Sequence, residues 1–326
     1  MGPHMLAPSS VRLAVALCLS VFLSPSLSWS DAPKSVRYAL VDGTTSLDTS
    51  GGADANTPFA IASIGKMMTA VAVLRLAERG QLSLDASPAQ WFDQSVLEGL
   101  PTLDGTTIRQ LLTMTSGLPE YYDDLYLEDA LTSPEQTQRG HVALSYAFDQ
   151  RPMFRPGRGF DYSNTNYLLL GLVLERVTGR SYAQVMRQEV LGPAGMTQSF
   201  VFGSRGLPSS FPRGHEDGKH YREYYQGQGF GDGGVIASAP DLARFLNALL
   251  IERSLLSPNS LGMMLTDANG ADYGMGIEVE GNNVGHSGED LGFSSDARVN
   301  LSTGDLAIIL VADADADTDW AFWTVK

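Results

Sequence analysis

The sequence holds a single cysteine, Cys18, among 326 residues. No intrachain disulfide can form. Basic residues are also scarce: 22 Lys and Arg stand against 37 Asp and Glu, a formal charge of −15. Such a chain has no broad basic footprint, which argues against nucleic acid as a partner. There is no repeat and no low-complexity block. The apolar run that stands out, Leu13–Leu23 (LAVALCLSVFL), is shorter than the roughly 18–20 residues needed to span a bilayer.

That run has Arg12 before it and Ser28-Trp29-Ser30 after it. A basic start, a short apolar stretch and small residues before Asp31 read as a secretory signal. The expected location is therefore periplasmic or secreted, and the mature chain would carry no cysteine, which suits an oxidising compartment. Met1-Gly2-Pro3-His4-Met5 reads as a cloning remnant, so residues 1–30 stand apart from a folded region of 31–326. Hydrophobic content of 43% and charged content of 18% are those of a globular chain, long enough for one large domain or two interleaved ones.

Within 31–326 the pattern changes twice. Residues 36–48 read as a hairpin about Asp42-Gly43. Met67–Leu76 reads as a buried helix continuing from Ser63 and ending near Gly80. Further helices are expected at Ile108–Met114, from Pro134, at Asn166–Val177, at Tyr182–Leu191 and at Pro240–Leu250. Strands return at Tyr273–Glu280, Asn283–Ser287, Ser294–Leu301 and Leu306–Val311. Strands at both ends with helices between predict an α+β fold. An antiparallel β-sheet, from about 31–95 and 231–326, would be flanked by helices and carry an inserted, mostly helical subdomain, about 96–230.

Three short motifs carry chemistry. Ser63 and Lys66 are three apart where a helix begins, so their side chains share a face. A serine in the first turn keeps its backbone N–H free of an intrahelical partner, and a desolvated lysine is a base for its hydroxyl. Tyr162-Ser163-Asn164 puts a phenol and a carboxamide two apart ahead of a helix; taken alone, turn and cap chemistry explains it equally well. His286-Ser287-Gly288 ends a strand with small residues, where a substrate backbone can lie along the edge.

In the order S-x-x-K, Y-x-N, H-x-G, these motifs resemble those of the serine β-lactamase and DD-peptidase superfamily, in its class C-like branch of DD-carboxypeptidases, D-aminopeptidases and esterases. The segments LLTMTSGLP (111–119), FRPGRGFDYSNTNYLLLG (154–171), LGPAGMTQSF (191–200) and GDGGVIASAPDLARF (231–245) are similar to those of the family, with Met114 where a histidine is usual. The likeness spans roughly residues 36–312. It implies a β-lactamase/transpeptidase-like fold, Ser63 as the acylated nucleophile, and Lys66 and Tyr162 sharing proton transfer. It implies that Asn164 holds the substrate amide and that His286, where many relatives have lysine, faces the substrate carboxylate or the Tyr162 hydroxyl. Ser287 and Gly288 would line the binding edge, and the backbone N–H groups of Ser63 and Glu289 would form an oxyanion hole. Tyr121 falls near a glutamine position of the branch's β-lactamases. Two departures stand out: no segment of the mature chain is expected to form the family's long N-terminal helix unless the signal segment supplies it, and Asp317–Lys326 is short for the helix that usually covers the sheet.

Metal sites are not expected. The alternating Asp313, Asp315, Asp317 and Asp319 lack the glycine and glutamate of a calcium loop. His215, Glu216, Asp217 and His220 lack zinc spacing. Tyr221, Tyr224 and Tyr225 suit a cleft or plain packing equally. The sequence thus points to a serine hydrolase working through an acyl-enzyme on amide or ester bonds, without a cofactor. Its expected substrate is a small molecule or a peptidoglycan peptide of DD-peptidase type, with β-lactams as ligands. A carboxylesterase, a class C-like β-lactamase and a penicillin-binding protein without turnover remain open alternatives.

Overall fold

The computed structural model describes residues 32–326, so the signal-like segment and Cys18 lie outside the described residues. The N-terminal hairpin forms as β1 (Ser35–Val41) and β2 (Thr44–Ser50). Short strands follow: β3 (Phe59–Ala60), β4 (Phe200–Val201), β5 (His215–Glu216), β6 (Lys219–His220) and β7 (Val235–Ala237). The C-terminal set is β8 (Glu278–Glu280), β9 (Asn283–Asp290), β10 (Phe293–Asn300) and β11 (Leu306–Val311). Six of these make one antiparallel sheet in the order β2-β1-β11-β10-β9-β8. The two ends of the chain therefore meet at β1 and β11, and the helices are strung between them.

Strand alternation divides the sheet into two faces. Val36, Leu306, Ile308 and Leu310 join the main core, on which the helix Ala239–Leu246 packs. Ala39, Ala307, Ile309 and Val311 face the other way and meet Ala321 and Val325 of the terminal helix Trp320–Val325. The short C-terminal segment thus covers the centre of that face, with the Arg37 guanidinium 5.5 Å from the Trp320 ring centroid.

The helix Gly65–Glu78 is buried on nearly every side, as the unbroken run MMTAVAVLRL requires. The helix Asn164–Thr178 packs against it and ends at Gly179 in a left-handed conformation, φ 67°. Tyr182–Met186 and Ala239–Leu246 each continue into a π-turn, which accounts for the longer helices expected there. The expected strand Tyr273–Glu280 shrinks to Glu278–Glu280, with one bridge from Tyr273 to Glu278. The cause is close packing. A Cβ on Gly276 (φ 70°) would lie 2.7 Å from the Lys66 carbonyl oxygen, so the chain crosses behind that helix as a tight turn and not as a strand. The His215–His220 segment is a small hairpin in which the two imidazole rings touch, centroids 4.4 Å apart.

Candidate active site

Ser63 sits in a single 3-10 turn, Ala62–Ile64, that feeds the helix Gly65–Glu78. Ala62 holds φ at 46°, a left-handed value that an alanine adopts only under constraint. The constraint comes from both sides. Ile61 N–H donates to the Val235 carbonyl at 3.1 Å, and the Ser295 hydroxyl donates to the Ile61 carbonyl at 3.0 Å. Gly233 and Gly288 press against the same turn: a Cβ on Gly233 would lie 3.1 Å from Ala62 C, and one on Gly288 would lie 2.6 Å from Ile61 O.

Lys66 is fully buried, at 0% exposure. Its Nζ donates to Ser63 Oγ at 2.8 Å, to Asn164 Oδ1 at 2.7 Å and to the Asp232 carbonyl at 2.7 Å. Three acceptors match the three N–H bonds of an ammonium. Loss of one proton turns the same nitrogen into an acceptor for the Ser63 hydroxyl. Tyr162 roofs this group, its ring centroid 5.0 Å from Lys66 Nζ, and it is 39% exposed. Among the described residues its hydroxyl has no hydrogen-bond partner, so it is open to the cleft.

Asn164 begins the helix Asn164–Thr178. Because its Oδ1 faces Lys66, its Nδ2 is the atom left to donate to a substrate carbonyl. Its backbone N–H is capped by Glu120 Oε2 at 2.6 Å, while Glu120 Oε1 accepts from Tyr122 N–H at 2.7 Å. A carboxylate at a helix N-terminus is stabilising, yet burial still pushes the Glu120 carboxyl up.

The edge of β9 closes the site. Ser287 N–H turns away from β10 and donates to Glu278 Oε1 at 3.2 Å. Glu289, two residues on and paired with Ser294, has its N–H on the same open side. It lines the cavity that also holds Ser63.

Of the two positions expected for His286, the ring takes the one beside Tyr162 and is buried. The imidazole is 2% exposed, with Nε2 3.2 Å from the Tyr273 hydroxyl and Nδ1 2.5 Å from the Ser287 carbonyl. Burial is the main cause that drives its pKa down to about 4, against the opposing pull of Glu278 beside it. The ring is therefore neutral at physiological pH and cannot serve as a cationic clamp for a carboxylate. It packs beside Tyr162, ring centroids 6.2 Å apart. Glu278 is itself shared with Arg298, which also binds Asp296.

Tyr121 is buried, and its hydroxyl donates to Asp232 Oδ2 at 2.6 Å. Tyr122 donates to Asp290 Oδ1 at the same distance. Burial pushes both carboxyls up and both phenols well above their usual range, so the phenols are donors here and do not ionise. Sequence reasoning missed Glu120, Asp232, Asp290 and Glu278. The available signals were an acid directly after LLTMTSGLP, an acid between glycines in GDGG, and the acids of HSGED.

A serine at a helix start is bonded to a buried lysine one turn on and set against the open edge of an antiparallel sheet. Comparison with known proteins carries this to a family. Residues 32–321 match the Beta-lactamase family model, and the chain belongs to that family. It is 28% identical over 290 residues to penicillin-binding protein 4* of Bacillus subtilis, covering 81% of this chain and 62% of that protein. Among solved structures it is similar to a D-stereospecific amidohydrolase from Streptomyces sp., with a TM-score of 0.76, 25% identity and coverage of 90% and 95% of the two chains. The penicillin-binding protein from Bacillus halodurans superposes with a TM-score of 0.75 at 26% identity, over 88% and 93%. The chain thus spans less than two thirds of the length of the Bacillus subtilis relative.

Proposed function

We propose that Ser63 is the nucleophile of an acyl-enzyme pathway that hydrolyses amide bonds in small D-amino-acid or peptidoglycan-type substrates. The observation that carries this is the 2.8 Å bond from Lys66 Nζ to Ser63 Oγ, with Asn164 and the Asp232 carbonyl holding the lysine in place. In the first step Ser63 Oγ bonds to the substrate carbonyl carbon as its proton passes to Lys66. The oxyanion is held by the Ser63 and Glu289 N–H groups, where each donor is worth about 10²–10³ in rate. Tyr162, beside Lys66 and open to the cleft, hands a proton to the departing amine and takes back the one that Lys66 received from Ser63. Water then attacks the ester, its proton passing to Lys66, and Ser63 leaves as its oxygen regains a proton by the same route.

The neutral His286 favours substrates whose leaving group carries no carboxylate, which speaks for amidase over carboxypeptidase chemistry. The similarity to a D-stereospecific amidohydrolase supports the same choice. Export is part of the proposal, on the strength of the Arg12 to Ser30 pattern. The test is intact-mass spectrometry after mixing with a penicillin, with Ser63→Ala as control. An adduct on the wild type alone identifies the nucleophile. Without an adduct, drug consumption marks a β-lactamase, and faster turnover of short p-nitrophenyl esters than of D-amino-acid amides would replace this reading with an esterase.

A further inference from the structure

Strand β8 pairs with β9 only from Asn283 to Gly285, so β9 has an open edge from His286 onward. One side chain reaches along that edge. Glu278 Oε1 accepts from the Ser287 N–H at 3.2 Å and from the Ser287 hydroxyl at 2.9 Å. Its Oε2 accepts from Nη2 of Arg298, and His286 Nδ1 lies 3.3 Å from Oε1. A main-chain N–H, a hydroxyl and a guanidinium that converge on two oxygens are a donor set for a free carboxylate. Here the chain fills that cradle with a carboxylate of its own.

The cradle sits at the leaving-group end of the site. Tyr162, which protonates the departing amine in the scheme above, packs beside His286. Ser287 adjoins Gly288, whose backbone rests against the Ser63 turn. A cavity of about 520 Å³ opens here, with Tyr273, Glu278, Ser287 and Arg298 among its walls. Arg298 holds Asp296 through Nε and Glu278 through Nη2. Without Glu278 the Nε bond would persist, and Nη2 would be left to an incoming carboxylate. Such a carboxylate would restore the same charges and the same donors.

We propose that Glu278 determines leaving-group specificity: it occupies the cradle in which the carboxylate of a departing amino acid would otherwise be held. The proposal rests on Ser63 being the nucleophile. It is separable from the neutrality of His286, because Glu278 is a group that raises the His286 pKa. Removing Glu278 therefore leaves the ring neutral. If that neutrality alone excluded carboxylates, a Glu278 variant would exclude them equally.

An acyl-D-alanyl-D-alanine and its terminal carboxamide differ in the charge of the leaving group. The full chain should hydrolyse the carboxamide with a kcat/KM about tenfold or more above that of the acid, since like charges meet in the second case. Glu278→Ala should cut this preference by about tenfold. Equal turnover of the two by the wild type overturns the proposal without any variant. A preference undiminished in folded Glu278→Ala assigns the exclusion elsewhere and overturns it too. Acetate probes the cradle directly by saturation-transfer NMR. It should bind Glu278→Ala and not Glu278→Gln, whose amide fills the same space, and equal acetate signals from the two overturn the cradle. Labelling of Ser63 by a fluorophosphonate tests the nucleophile separately. Labelling without acetate binding by Glu278→Ala sinks this inference alone, and acetate binding without labelling sinks the hydrolase reading alone.

Discussion

Lys66 binds three acceptors at once, and this decides what its removal does. Lys66→Ala would free the Ser63 hydroxyl, the Asn164 amide and the Asp232 carbonyl together. We expect acylation to slow by at least about 10³ while the fold persists, read by stopped-flow labelling and circular dichroism. Tyr162 touches the same centre from its exposed side. Tyr162→Phe keeps the ring over Lys66 and removes only the proton path, so kcat should fall by about 10²–10⁴ with KM little changed. His286 supplies a pH test. Its folded pKa of about 4 lies below the ordinary value of about 6.5, so between these pH values the unfolded chain binds more protons. The wild type should therefore lose melting temperature relative to His286→Gln as pH falls from 6.5 to 4, and the difference should be constant above 6.5. A difference that grows above pH 7 would show the ring to be cationic in the folded protein.

Among the elements, β9 matters most, because one strand brings His286 beside Tyr162 and Glu289 beside Ser63. Gly288 lets it approach: a Cβ there would meet Ile61 O and Ser295 Oγ, both at 2.6 Å. The carbonyl is backbone and cannot swing aside. Gly288→Ala should push the strand from the Ser63 turn and cost about 10² in kcat/KM. The accompanying stability loss should be about 1–3 kcal/mol, measured by chemical denaturation. An unchanged rate would mean that the two N–H groups do not share an oxyanion. The helix Asn164–Thr178 depends similarly on Glu120, since Ser163 offers it no side-chain cap.

Across the whole molecule, the β1–β11 pairing joins the two ends of the chain, and the terminal helix seals the face behind it. Deleting residues 319–326 would uncover Ala39, Ala307, Ile309 and Val311. About 2–4 kcal/mol of stability should be lost. Ser63 and its partners belong to other elements, so the rate of Ser63 labelling in the folded fraction should not change.

Local pattern alone determined the hairpin at β1–β2, the buried helix after Ser63, the α+β order of elements and the S-x-x-K, Y-x-N and H-x-G groups. These follow from periodicity, turn residues and residue type, which need no knowledge of distant neighbours. What the side chains do was decided elsewhere. His286 looked like a titrating clamp because a histidine in water titrates at about pH 6.5; burial moves that titration down to about 4. Glu120, Asp232 and Asp290 looked like ordinary surface acids, since a carboxylate's partners come from segments far away in the chain. The strand expected at Tyr273–Glu280 failed because Gly276 must pass behind the Lys66 carbonyl. Residue type sets which chemistry is available, and tertiary packing sets charge, solvation and reach, because those depend on whatever the fold places within a few ångströms.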